Sequence, residues 1–141
     1  MSDTPKQRLF TLEEANELVP VLSQLIERLQ RRYRTLVGEL QRLGLSADDL
    51  EKVLAENTET PEIKTCLNEI TQCVAEIESH GCHFKGLDLG LVDFPARMNN
   101  EVVFLCWQYG ESQVSFWHGI DDGFVGRHPI SPERPPRLSL N

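Results

Sequence analysis

The sequence predicts an α+β domain, in which a long antiparallel helical hairpin resembling a coiled coil packs against a small antiparallel β-sheet. Apolar residues alternate by three and four positions through the first third of the chain, which is the spacing of one helical seam. The seam comprises Leu12, Ala15, Val19, Leu22, Ile26, Leu29, Tyr33, Leu36, Leu40 and Leu43. A second seam comprises Ile63, Leu67, Ile70, Val74 and Ile77. Beyond Gly81 the pattern changes to β-rich runs, which predict the sheet.

Size and charge limit the class of protein. A chain of 141 residues fits a single domain, 1–141, with a core that needs no disulfides. The net charge of −8 argues against nucleic-acid and anionic-membrane partners, because phosphate binding needs a basic face. No apolar run reaches the roughly 20 residues of a membrane span, and we expect no signal peptide. The expected location is therefore cytoplasmic, where the four cysteines are reduced thiols.

Local signals place the helices of the hairpin, residues 11–80. Thr11 with Glu14 forms a capping box, so the first helix begins at Leu12. Because the seam continues through Pro20, we expect a kinked but nearly continuous helix that Gly44 ends. A short helix follows over about 47–56, and a longer one begins at a Thr60 cap and ends near 80–81.

The sheet is predicted in residues 81–127. Runs 101–109 and 113–119 flank a Gly110–Ser112 turn and predict a hairpin, and 82–92 predicts one further short strand. Residues 88–97 are expected to be a loop, and 128–141 a Pro-rich, extended tail. The hairpin pairing that we predict joins Val103 to His118, Leu105 to Phe116 and Trp107 to Val114.

Two features predict a homo-oligomer, most simply a dimer. The second helix is too short to cover the first seam, and both faces of the predicted hairpin carry large apolar residues. The leading functional hypothesis is therefore an oligomeric interaction or structural module without catalysis, and no cofactor is predicted. A monomer in light scattering would contradict it.

Few residues are candidates for chemistry, and each also has a structural interpretation. His118 is either a base or a satisfied core histidine. Asp93, between apolar neighbours, is either an acid–base group or an ion-pair partner of Arg127 or Lys85. Glu111 is a further catalytic candidate, although its place at the hairpin tip favours simple exposure.

Ligand binding has a separate set of candidates. Arg127 follows a turn-rich loop and suits an anionic ligand, or else holds Asp93 or a backbone carbonyl. Lys85 and the aromatic side chains of Trp107 and Trp117 complete this set.

The metal and nucleophile hypotheses are weaker. Cys82, His83, Cys106 and His118 are zinc-type ligands, but their spacing matches no known finger or ribbon, and no metal is predicted. Under the predicted pairing, Cys106 and His118 face opposite sides of the sheet, so the thiol lacks an activating base.

Several segments together resemble an uncharacterised prokaryotic family known as domain of unknown function 2203. They are Phe10–Asn16, Lys85, Gly90–Pro95, Leu105–Trp107, Gly110–Glu111, Trp117–His118 and Gly123–Arg127. The resemblance spans about Leu9 to Ile130 and implies no activity, cofactor or partner. It does imply that the loop and hairpin segments characterise the family, rather than the helical seams. Independently of the resemblance, polar groups concentrated among aromatic residues in one short region predict an alternative function, a small-ligand-binding protein or hydrolase that uses Asp93, His118 and Arg127.

Overall fold

The computed structural model describes residues 8–123 and 126–130 and shows an α+β protein. Its helices are α1 (Leu12–Arg42), α2 (Leu50–Ala55) and α3 (Pro61–Glu78), with a 3₁₀ turn at Ala47–Asp49. Its strands are β1 (His83–Gly86), β2 (Leu91–Met98), β3 (Glu101–Gln108), β4 (Phe116–His118) and β5 (His128–Pro129). The described residues form two compact units: Gln24–Glu76 is one, and the other joins residues 8–23 to the described residues from Ile77 onward.

The local signals for α1 are confirmed. The backbone N–H of Glu14 donates to Thr11 Oγ1 at 3.1 Å, and the N–H of Thr11 donates to Glu14 Oε1 at 2.9 Å. Pro20 lies inside the helix without breaking it. Gly44 has a φ of +77°, and the bonds from Leu45 N to Leu40 O and from Gly44 N to Gln41 O complete a Schellman ending.

Residues 24–76 have a small core of their own. Leu36 and Leu40 of α1 pack with Val53 of α2 and with Ile63 and Cys66 of α3. A half-buried ion pair between Arg32 Nε and Glu69 Oε2, 2.8 Å apart, also links α1 to α3. The predicted coiled-coil hairpin over the whole of 11–80 stays a prediction, as does the single domain.

The sheet contains five antiparallel strands in the order β1-β2-β3-β4-β5, more than the two or three that the sequence predicts. The predicted loop at 88–97 was wrong, since Leu91–Met98 is the second strand and pairs along its whole length with β3. Pro95 concealed this strand, because proline cannot donate to a ladder. The structure accommodates it beyond the end of the β1 pairing, where Pro95 O instead accepts from the N–H of Phe10 at 2.7 Å.

The predicted β3–β4 pairing was wrong by one residue. His118 pairs with Phe104, Trp117 with Leu105 and Phe116 with Cys106. Because successive strand residues point to opposite faces, a shift of one residue moves every side chain of β4 to the other side relative to β3. His118 therefore shares a face with Cys106 rather than with Leu105.

The two faces of the sheet differ in character. One carries fully buried apolar side chains, including Val92, Phe94, Leu105 and Trp107. The Phe10 ring packs edge-on against Phe94, with the ring centroids 5.2 Å apart. The opposite face carries the polar residues Asp93, Cys106 and His118, together with Phe104 and Phe116. The first face therefore belongs to the core, and the second carries the buried polar side chains of Asp93, Cys106 and His118.

The Pro-rich tail begins as part of the sheet. His128 and Pro129 form β5 and pair with Trp117 and Phe116, in keeping with an extended conformation. The rest of the predicted tail, 131–141, lies outside the described residues. Within the part of the chain that the structure describes, no helix is long and apolar enough to cross a membrane.

Candidate functional site

Three potential ligand atoms from three adjacent strands converge on the polar face of the sheet. Asp93 comes from β2, Cys106 from β3 and His118 from β4, and their donor atoms all lie within 4.8 Å of one another. Register explains the convergence, because Asp93 pairs directly with Cys106 and His118 lies two residues beyond the partner of Cys106 on the same face. All three are buried, with exposed fractions of 4%, 1% and 4%.

The hydrogen bonds of His118 define its tautomer. Nδ1 lies 2.7 Å from the carbonyl oxygen of Gly119, and because a carbonyl only accepts, Nδ1 carries a hydrogen. Nε2 lies 3.1 Å from Asp93 Oδ1. That contact requires one further proton, held by the imidazole or by the carboxyl group. The ring is thus fixed at both nitrogens, with Nε2 directed at the carboxylate.

Cys106 completes the cluster as a protonated thiol. Burial, and after it the neighbouring Asp93 carboxylate, raise the pKa of this thiol to about 12, while Arg127 opposes the shift. The thiolate is the reactive form of cysteine, so this side chain is a poor nucleophile at neutral pH. The objection that Cys106 and His118 face opposite sides was wrong, but the thiol still lacks activation.

A cavity of about 200 Å³ adjoins the cluster. Its lining residues are Lys85, Leu91, Asp93, Phe104, Cys106, His118, Ile120 and Gly123. Lys85 and Ile120 are exposed, so the cavity extends from the buried cluster to the surface. The Lys85 ammonium lies 6.0 Å from the centre of the Phe104 ring and is the cationic group of the lining. The cavity thus combines buried polar atoms, an apolar wall and a positive charge.

Arg127 contacts the backbone of Cys106 but is not among the residues that line the cavity. Its Nη2 lies 2.8 and 3.1 Å from the two carboxylate oxygens of Glu111 and 3.4 Å from the carbonyl oxygen of Cys106. Its guanidinium also stacks 3.9 Å from the centre of the Phe116 ring. Of the two structural contacts expected for Arg127, with Asp93 or with a backbone carbonyl, the contact with a backbone carbonyl is present.

Glu111 is not simply exposed at a hairpin tip. Besides binding Arg127, its Oε1 accepts from the N–H of Gln108 at 2.6 Å, and its carbonyl oxygen accepts from Trp107 Nε1 at 2.9 Å. It therefore organises the connection between β3 and β4. Its contacts are therefore structural, and it is not among the residues that line the cavity.

The remaining candidates are not members of the cluster, although His83 on β1 pairs with Asp93 on β2. Trp107 is fully buried on the core face, and Trp117 lies against His128, with ring centroids 4.7 Å apart. Cys82 donates its thiol hydrogen to Ile77 O at 3.2 Å, and His83 stands edge-on to Phe104. Of the four weak metal candidates, only Cys106 and His118 join the cluster.

Comparison with known proteins identifies the family. A family model described as "Uncharacterized conserved protein (DUF2203)" matches residues 8–130. The chain belongs to this family. The resemblance inferred from sequence segments is thus confirmed, and the match to DUF2203 includes every residue of the cluster and cavity. No curated protein and no solved structure matches the chain.

Sequence reasoning grouped Asp93 with His118 and Arg127, and Cys106 with His118, but it did not bring Asp93, Cys106 and His118 together as one set. The grouping depends on two features of the sheet that were misjudged, namely the strand at Asp93 and the β3–β4 register. A usable signal was present: pairing His118 with Phe104 places the two polar side chains of the hairpin, Cys106 and His118, on one face. Buried polar groups that share a face satisfy one another more readily than isolated ones.

Proposed function

We propose that this protein binds a small polar ligand, an ion or a molecule, in the cavity over Asp93, Cys106 and His118. The observation that carries the proposal is the buried Asp93–His118 contact of 3.1 Å at a cavity that reaches the surface. Ligand sites typically combine a largely apolar lining with a few convergent polar groups. The cavity has this composition.

The supporting chemistry is specific to these side chains. The Gly119 carbonyl holds the His118 ring so that Nε2, rather than Nδ1, faces the cavity cluster. Asp93 supplies carboxylate oxygens, and Lys85 supplies a cation nearer the surface. A buried polar pair often contributes no more to the free energy of unfolding than apolar side chains of similar shape would, so stability alone does not explain Asp93 and His118. A binding role accounts for their presence.

Covalent catalysis by Cys106 has no such support. Burial and the adjacent carboxylate keep its thiol protonated, with a pKa of about 12. Hydrolysis stays the sequence-based alternative within the same cavity. It would require that Asp93 or His118 activate a water molecule rather than that the thiol attack.

Ligand screening with matched variants tests the proposal. Chelator-treated protein is titrated with small carboxylates, phosphate, phosphorylated sugars and amines, and amide shifts are followed by NMR; a parallel titration uses divalent metal salts. We expect at least one of these probes to shift the amides of 91–94, 104–107 and 117–120 in a saturable way. Asp93→Asn and His118→Gln should each weaken the affinity for that probe at least tenfold, because each variant loses one good polar contact.

Two control variants make the result specific. Asp88→Asn and His80→Gln change the same residue types outside the cavity. Asp88 is exposed, and His80 is half-buried. Both should bind the probe as the unaltered protein does. If no probe binds, or if the controls weaken binding as much as the cavity variants, the proposal fails.

The prediction of a homo-oligomer was based in part on an α1 seam that a single chain could not cover. Of the α1 seam, Ala15, Val19, Leu22, Ile26, Leu29, Leu36 and Leu40 are buried in the single chain, and Leu43 is exposed. A second copy is therefore not needed to cover most of this seam. The oligomeric state stays a prediction, and light scattering at micromolar concentration remains its test.

A further inference from the structure

We propose that Asp93, Cys106 and His118 bind a divalent transition-metal ion of the zinc class through Oδ, Sγ and Nε2. The inference rests on the proposed function, since it names the ligand that the buried end of the cavity takes. The donor atoms lie within 4.8 Å of one another, close enough for small side-chain movements to bring all three onto one ion. Each donor belongs to a different strand of one continuous sheet, so their spacing is set by strand pairing.

The donor set selects the type of metal. A thiolate and an imidazole favour zinc, cobalt and related ions, whereas calcium and magnesium prefer sites built from oxygen alone. Three protein ligands are typical of zinc sites that leave a fourth position for water or a substrate. The adjoining cavity of about 200 Å³ provides room for such a fourth ligand.

The surroundings of the donors also suit a metal. The carbonyl of Gly119 accepts from His118 Nδ1, which is how metal-binding histidines are commonly oriented. The Nε2–Oδ1 contact needs a shared proton in the metal-free protein, and the ion takes the place of that proton. Binding also releases the Cys106 thiol proton to solvent. One carboxylate and one thiolate then balance the two positive charges of the ion.

The structure also limits which sequence candidates take part. Cys82 is engaged with the Ile77 carbonyl and lies outside the cluster, and His83 packs on Phe104. Lys85 lines the cavity without being a ligand, and its positive charge favours an anionic occupant of the fourth position. The proposed site is therefore a three-residue set that differs from the four-residue set suggested by ligand types alone.

Cobalt substitution provides the test. Full-length protein is reduced, stripped with chelator and titrated with Co²⁺, and absorbance is recorded together with zinc competition and elemental analysis. We expect one equivalent of Co²⁺, with a thiolate-to-cobalt charge-transfer band and intense tetrahedral d–d bands, both removed by Zn²⁺. Cys106→Ser should abolish the charge-transfer band, and Asp93→Asn or His118→Gln should weaken Co²⁺ binding at least tenfold.

Cys73→Ser is the matched control, because Cys73 is also a buried thiol but lies on α3. It should keep the full cobalt spectrum, and circular dichroism confirms that each variant is folded. The inference is overturned if Co²⁺ gives no charge-transfer band, or if Cys106→Ser keeps it. An organic ligand that binds the stripped protein while Co²⁺ does not would overturn the metal site and leave the proposed function standing. Failure of every probe overturns both.

Discussion

Arg127, which precedes β5, forms an ion pair with Glu111 in the connection between β3 and β4, with Nη2 lying 2.8 Å from Oε1. Their side chains are 12% and 25% exposed, so solvent screens the pair less than it screens surface pairs. The same carboxylate accepts from Gln108 N, and the same guanidinium reaches the Cys106 carbonyl. Arg127 thus links the segment before β5 both to the β3–β4 connection and to β3, the strand that carries the Cys106 thiol.

Glu111→Gln should therefore destabilise the protein by about 1–3 kcal/mol, the usual cost of losing a charged hydrogen bond in a partly buried setting. Urea denaturation measures the change in the free energy of unfolding. The matched control is Glu27→Gln, which removes an exposed pair with Arg31, whose side chains are both 55% exposed. That variant should stay within about 0.5 kcal/mol of the unaltered protein. Equal losses in the two variants would contradict the assigned role.

The Asp93–His118 pair predicts strong non-additivity. His118→Phe leaves a buried carboxylate without its partner and should cost about 3–5 kcal/mol. Adding Asp93→Leu to that variant removes the unpaired charge, so the double variant should be more stable than His118→Phe alone. Thermal and urea unfolding measure the three free energies. A double variant whose loss equals the sum of the two single losses would show that the groups do not interact.

Cys82 predicts a loss of stability at alkaline pH. Burial raises the pKa of its thiol to about 11 in the folded protein, above its ordinary value of about 9. Between these values the folded protein keeps a proton that the unfolded chain loses, so the stabilisation is complete below pH 9 and disappears as pH rises through 11. The slope is about 1.4 kcal/mol per pH unit for one such thiol.

Urea denaturation from pH 8 to pH 11 checks this slope against Cys82→Ala. The variant should be less stable at pH 8 but should lose less stability on the way to pH 11. Cys106 titrates in the same direction in both proteins, so the difference between the two curves isolates Cys82. Parallel curves would contradict the prediction.

The turn between β2 and β3 predicts a backbone effect. Asn99 and Asn100 have φ values of +50° and +68°, the left-handed conformation that a type I′ hairpin turn requires at both central positions. Asn100→Ala should cost roughly 1–2 kcal/mol, because alanine gains nothing that offsets the strain. Asn100→Gly should not destabilise, since glycine adopts this conformation freely.

A helical asparagine provides the comparison for this turn. Asn68→Ala, at an exposed position of α3, should be neutral or slightly stabilising, because alanine favours helix. The free energies of unfolding of the three variants separate turn strain from a general preference for asparagine. A harmless Asn100→Ala would contradict the turn geometry.

The helices could be predicted because their signals are local. The Thr11–Glu14 box, the Gly44 ending and the Thr60 cap each lie within a few residues of the atoms that they satisfy. The second strand could not be predicted in the same way, since Pro95 is unfavourable in a ladder until the contact with Phe10 is known. Phe10, which is 85 residues away in the sequence, therefore decides whether Pro95 can lie in a strand.

The sequence by itself determined the α+β class, the positions of the helices to within a few residues, the family and the residues on which its resemblance depends. Tertiary structure alone decided which of those residues meet. Asp93 and His118 are 25 residues apart, and only the pairing of three strands brings their side chains together. Strand register has a period of two residues, so a shift of one would place His118 on the opposite face from Cys106. The long-range pairing of β2, β3 and β4 therefore creates the site, and no local pattern specifies it.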